Sequence, residues 1–198
     1  VDKNARQQGA STDLAGPLPE SFSGQKYLQL FCDLENRELI PFFLRRKTAE
    51  GTTENLDRYI SLRGRQKRIL ADNGTEFLGR FEKRASEVSG GVRRSPEYTP
   101  ALNGKVEVSN RIVLQGAACL LLCSGCPIEH WPSACKYYCY VLNRHPRPVL
   151  EGESSEEKRT GKKPSTKHIR AFWSRGHFLE VSPKKKVGSS KLSPRRRE

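Results

Sequence analysis

Two apolar runs separated by four polar residues set the first constraint on this chain. KYLQLFCDL (26–34) and LIPFFL (39–44) read as strands, and the intervening ENRE makes them an antiparallel hairpin. AEGTTENLDRYISL (49–62) then reads as a helix with Leu56, Tyr59, Ile60 and Leu62 on its apolar side. QKRILAD follows as a strand and FLGRFEKRASEV (77–88) as an amphipathic helix. VRRSPEYTP reads as a short strand or extended loop. A helix is expected from Lys105 to about Cys123, closed by Gly125-Cys126-Pro127, with another over roughly 129–143. Ahead of the hairpin, STDLAGPLP holds a short strand expected to end at Asp13 and to be closed by Gly16-Pro17. Strands and helices in this order imply an α/β layer, a mixed sheet with helices on both faces.

The rest of the chain is more polar. Residues 1–10 read as an irregular N-terminal remnant and 11–150 as the core domain. EGESSEEKRTGKKPSTK (151–167) reads as a hydrophilic linker, and HIRAFWSRGHFLEV (168–181) has strand character before a basic, Ser-rich end. Residues 158–198 hold 14 Lys and Arg against Glu180 and Glu198, a balance of +12 out of a total of +14. Such a tail, with Lys184, Lys185 and Lys186 at its centre, suits contact with a polyanion, although basic tails also serve as solvated ends or address labels. No apolar run reads as approaching the length of a membrane span, and no signal pattern opens the chain. The sequence starts at Val1 and contains no Met, as a fragment or processed product would.

Three carboxylates stand out by position. Asp13 and Asp72 follow strand-like runs, and Glu107 lies in the opening turns of a helix. Asp also starts turns, and a Glu early in a helix is favoured by the helix dipole. If the fold gathers the three, they form a set of hard oxygen ligands for Mg²⁺ or Mn²⁺, the chemistry of in-line phosphoryl displacement.

The stretches TDLAGP (12–17), FCDLENR (31–37), FFLRRK (42–47), LADNGTEF (70–77), YTPALNGKVEVSNR (98–111) and HWPSACKYYCYVLNR (130–144) occur in that order. With GKKPSTKHIRAF (161–172) and KLSPRRR (191–197), they resemble the integrase of copia-type LTR retrotransposon polyproteins, in the retroviral integrase superfamily. The 35-residue step from Asp72 to Glu107 also matches that family's Asp-Asp-Glu pattern. The resemblance implies an RNase H-like core with a five-stranded mixed sheet, followed by a partial SH3-like segment and a basic C-terminal extension. It implies Asp13, Asp72 and Glu107 as catalytic metal ligands, and Asn103-Gly104 as the turn into the helix presenting Glu107. Lys105, Asn110, Arg111 and the tail lysines become candidate DNA contacts, with bracing of Glu107 the alternative for Asn110 and Arg111.

The implied function is DNA integration by metal-dependent cleavage and strand transfer on nuclear DNA. The implied partners are DNA and further copies of the chain, with no membrane. Two alternatives remain: a decayed or repurposed remnant that binds DNA or protein without catalysis, and an RNase H-type nuclease. The chain departs from the family at Ala15, Val108 and Phe172-Trp173-Ser174, and no His/Cys zinc pattern precedes its core.

Of the six cysteines, Cys119, Cys123 and Cys126 with His130 do not match paired zinc-ligand spacings. Cys135 and Cys139 share an apolar helical stripe with Trp131, Ala134, Tyr138 and Leu142, so they are expected to be buried thiols.

Overall fold

The computed structural model describes residues 9–72, 74–89, 92–94, 100–176, 178–179 and 196–197; of these, 92–94, 100–105, 178–179 and 196–197 are described by backbone alone. One five-stranded sheet organises the chain. Its strands are β1 (Ala10–Ala15), β2 (Tyr27–Asp33), β3 (Leu39–Leu44), β4 (Ile69–Ala71) and β5 (Val92–Arg94). Their spatial order is β3-β2-β1-β4-β5. The β2–β3 hairpin is antiparallel, β1 is antiparallel to β2, and β1, β4 and β5 run parallel.

Period-2 alternation divides β2 between two cores. Leu28, Leu30 and Cys32 pack with Val113, Ala117, Leu121, Trp131 and Cys135. Phe31 faces the other way, onto Leu56, Tyr59, Phe77 and Phe81, and stacks on the Tyr59 ring at 4.5 Å. Helices therefore cover both faces. On one side are α1 (Ala49–Arg63) and α2 (Arg80–Val88); on the other are α3 (Pro100–Ser124) and α4 (Trp131–Leu142).

The local signals account for most of these elements. Thr48 caps α1 by accepting the Gly51 N–H, and Gly64 at φ 79° closes it. Asn143, just past α4, both donates to and accepts from the Leu39 backbone at 2.9 Å, which satisfies the outer strand where it would otherwise lack a partner. Gly116 faces the Tyr138 ring so closely that a Cβ there would collide with it, which lets α3 and α4 approach.

Four expectations change. Asp13 lies inside β1 rather than at its end, because the strand continues through Leu14 and Ala15. Strand β1 is central despite its polarity: Ala10, Ser11 and Thr12 are small enough to be buried on both sides. Its hydroxyls also find partners: Ser11 donates to the Cys32 carbonyl, and Thr12 accepts from the Gln29 amide nitrogen, while the Gln29 amide oxygen accepts from Asn55 at 3.0 Å.

The supposed linker contains α5 (Ser155–Thr160), capped by Ser154 and docked through Arg159 to Glu38 and Glu156 to Arg144. HIRAFWSRG forms turns rather than a strand, with Phe172 against the α3/α4 core and the Tyr137 hydroxyl on the Arg170 carbonyl. Beyond it, Phe178–Leu179 pairs with Arg196–Arg197; most of the basic end, including Lys184, Lys185 and Lys186, lies outside the described residues. Lastly, Val106–Ser124 is long and apolar enough to cross a membrane, contrary to the sequence reading, but one side of it packs on the sheet and α4.

Cys135 and Cys139 are buried as expected, with Cys32 and Cys126, whereas Cys119 and Cys123 are exposed. Burial pushes the Cys135 thiol up to about 12 and raises Cys139 further. Titration with a disulfide reagent at pH 8 should therefore modify Cys119 and Cys123 rapidly, and the other four thiols only on unfolding. Rapid modification of Cys135 or Cys139 in the folded protein would contradict this packing.

Candidate functional site

The site is built by register. β1 pairs with β4 as Ala10↔Ile69 and Ser11↔Leu70, a constant offset of 59 residues. Carrying the offset on sets Asp72 level with Asp13 at one end of the sheet. Alternation then fixes the face. Ala10 and Leu14 belong to the α1/α2 side and Ala15 to the α3/α4 side, so Asp13 faces α3. By the same count Ile69 and Ala71 face α1/α2, and Asp72 falls on the α3 side with Asp13.

Each carboxylate is held. Asp13 Oδ1 accepts the Leu14 N–H at 2.8 Å, and Oδ2 accepts Asn110 Nδ2 at 2.7 Å across the gap to α3. Asp72 Oδ1 accepts the Gly74 N–H at 3.1 Å. Burial pushes both carboxyl groups above the ordinary range, and their neighbours' negative charges add to it: Glu107 and Glu76 act on Asp13, and Asp13 and Glu76 on Asp72. Glu107, on α3 one turn before Asn110, is exposed but near enough for Asp13 to feel its charge. Asn110 therefore braces Asp13, not Glu107. Its other amide atom, Oδ1, is buried without a partner among the described residues. Arg111 projects into solvent.

The turn expected at Asn103-Gly104 is not there. Helix α3 already begins at Pro100, so Glu107 is presented from its third turn, and Lys105 lies in the same helix. Among the described residues, no three His, Cys, Asp or Glu side chains are close enough to form a metal cluster as they stand. Asp13 and Asp72 lie level by register, and Asp13 feels the charges of Glu107 and Glu76. The pair's chemistry suits a hard divalent cation, whose charge would favour the ionised form of two aspartates that burial, and then like charge, push up.

Sequence reasoning missed two residues here. Glu76 is 96% buried, with one carboxylate oxygen on Lys47 Nζ at 3.1 Å and the other without a partner among the described residues. It folds back under Gly74, where a Cβ would sit 2.7 Å from the Glu76 carboxylate. The Thr52 hydroxyl fixes its backbone carbonyl at 2.7 Å. Lys47 also counters the charge on Asp72. The available signal was the Glu two residues after Gly74, an acidic side chain in a turn directly after a strand-end Asp.

No family model matches the chain. Curated relatives do. The retrovirus-related Pol polyprotein from transposon TNT 1-94 of Nicotiana tabacum is 32% identical over 170 residues, 81% of this chain. Those from transposons RE1 and RE2 of Arabidopsis thaliana are 32% identical over 106 residues and 27% over 155. The chain spans only 12%, 7% and 11% of these relatives' lengths.

Among solved structures, the HTLV-2 integrase catalytic core domain in complex with magnesium, in a trimeric form, aligns with a TM-score of 0.58 at 20% identity. That alignment covers 75% of this chain and 93% of that one. A simian T-cell lymphotropic virus intasome in complex with the PP2A regulatory subunit B56 gamma aligns at 0.61 and 16% identity, over 94% of this chain and 65% of that one.

The raised Asp72 carboxyl has a consequence for stability. Its folded pKa exceeds its unfolded one, so between those values the folded state binds more protons, and stability falls as pH rises through the window. Above it, the ionised Asp72 is a standing cost. Asp72→Asn, with metal chelated at pH 7, should raise Tm. The gain should shrink as the pH is lowered through the window. A less stable Asn variant at neutral pH would show that Asp72 is not held against repulsion.

Proposed function

We propose that this chain, a homologue of retrotransposon Pol polyproteins with the RNase H-like fold of retroviral integrase catalytic cores, is an integrase catalytic segment. It binds DNA, directs water onto a phosphodiester near a DNA 3′ end to free a 3′-hydroxyl, and directs that hydroxyl onto a phosphodiester of a second DNA, whose own 3′ oxygen leaves as the new bond forms. The observation that carries this reading is the side-by-side placement of Asp13 and Asp72 on one face of the sheet, with α3 tied to Asp13 through Asn110.

The HTLV-2 core was solved with magnesium, and Asp13, Asp72 and Glu107 would hold Mg²⁺ or Mn²⁺ in this chain. Such an ion, when bound, supplies Lewis acidity at a phosphoryl oxygen and activation of the attacking oxygen. The chain's own residues do the positioning. The Leu14 N–H and Asn110 keep both Asp13 oxygens directed, and the Gly74 N–H does so for one oxygen of Asp72. Glu107, being exposed on α3, is free to turn toward them as substrate arrives. Lys47 holds Glu76 beside the site and supplies positive charge there.

The basic end holds DNA phosphates without reading sequence. Several copies assemble around DNA in the nucleus. A trimeric core and an intasome among the structural neighbours support this assembly.

One observation favours a second reading. Glu107 is exposed on α3 and, among the described residues, does not close a three-ligand cluster with the aspartates, as would hold in a remnant that binds DNA and no longer cuts it. Incubation with Mn²⁺ and a labelled DNA end separates the two. The first reading expects nicked product with a new 3′-hydroxyl and a joined product with a second DNA. Glu107→Gln and Asp72→Asn should each lower both by about 100-fold or more, the upper end of the loss caused by residues that merely support a ligand. DNA binding without nicking, unchanged by either substitution, would support the remnant.

A further inference from the structure

A second feature opens at the same end of the sheet. An open depression of about 740 Å³ lies where β1, β2 and β3 end, lined by Glu20, Lys26, Tyr27, Arg45, Arg46 and Lys47 with the Ser23-Gly24 turn. Four cations face it against one carboxylate. Its walls are held by backbone. The Leu18 N–H donates to the Lys26 carbonyl at 2.7 Å, and the Lys26 N–H to the Leu44 carbonyl at 2.9 Å. The turn is closed by the Gly24 N–H on the Ser21 carbonyl at 2.8 Å, with Gly24 at φ 80°.

The charges are not used up internally. Lys26 pairs with Glu20 at 3.0 Å, both partners being well exposed, so the pair is weak. Arg45 donates Nε to the Ser23 carbonyl at 3.1 Å, which aims its guanidinium along the wall without neutralising it. Arg46 is exposed, and neither arginine forms an ion pair among the described residues. Lys47 belongs to both features: it lines the depression and pairs with Glu76 under the Asp72 turn.

We infer that this depression is a DNA-backbone site continuous with the carboxylates, in which Arg45, Arg46 and Lys26 bind the phosphates flanking the one presented to Asp13 and Asp72. Arginine forks match phosphate oxygens in pairs, and an open polar trough suits a continuous strand better than an enclosed nucleotide. Tyr27 is the sole aromatic on the lining, so recognition is of backbone rather than of a base. Single-stranded or duplex DNA laid across this end of the sheet meets cations first and carboxylates beside them. The site is separate in sequence from the basic tail, and it rests on the DNA-processing reading above.

The test is binding without chemistry. The affinity of the full chain for a labelled duplex is measured by fluorescence anisotropy in EDTA across a salt series. Arg45→Ala with Arg46→Ala should weaken binding at least tenfold at low salt. It should also reduce the slope of log K against log salt by about 1.8, two phosphate contacts at 0.9 each. Arg45→Lys with Arg46→Lys should restore most of the slope. Arg58→Ala with Lys83→Ala removes two charges outside the depression and should leave the slope unchanged. A groove variant indistinguishable from that outside pair overturns the inference. Because no metal is present, a reduced slope upholds the groove even if the chain never nicks DNA, and an unchanged slope rejects it even if nicking proceeds.

Discussion

Everything about the candidate site follows from how β1 is held between two neighbours of opposite direction. It pairs antiparallel with β2 and parallel with β4, and the second pairing brings a residue from position 13 level with one from position 72. A slip of one residue would turn Asp13 toward α1 and away from Asp72. The register is protected by contacts that tolerate no slip: Thr12 to Gln29 to Asn55 on one face, and Asp13 to Asn110 on the other. The second does two jobs, since it satisfies a half-buried carboxylate and ties the 25-residue helix α3 to the central strand.

That arrangement concentrates like charge. Glu107 and Glu76 act on Asp13, Asp13 and Glu76 act on Asp72, and partial burial of the two aspartates limits the screening of their charges by water. Lys47 is the local counter-charge, and it sits between the carboxylates and the basic depression. The end of the sheet thus presents a negative centre flanked by a positive trough. The proposed function would use both, with cations to hold the flanking phosphates and the aspartates to hold a cation at the bond to be broken. Gly74 makes this possible, since any side chain there would displace Glu76.

Some of this was legible in the sequence and some was not. The β2–β3 hairpin was, because Leu28, Leu30 and Cys32 alternate with Gln29 and Phe31 on two faces. The α4 stripe of Trp131, Cys135 and Cys139 was legible for the same reason at helical spacing. The extent of β1 was not, since Ala10, Ser11 and Thr12 carry no hydrophobic period and are buried by size and hydrogen bonding. Asn103-Gly104 read as a turn, yet the helix runs through it, local preference yielding to the fold. The aromatics of HIRAFW read as a strand, but Phe172 is spent on the core from a turn, beside Trp173 at φ 63°. Glu76 and Lys47 were invisible as a pair, being 29 residues apart and meeting only because α1 and the Asp72 turn pack together.

The central claim is that Asp13 and Asp72 form one cation site, and metal binding tests it without recourse to activity. Mn²⁺ is titrated into the full chain by calorimetry, with its electron paramagnetic resonance signal as a second readout. The account predicts saturable binding that raises Tm and is lost in both Asp13→Asn and Asp72→Asn, each variant remaining folded. Equal Mn²⁺ affinity in wild type and both variants would mean that the two aspartates share a register but not a metal.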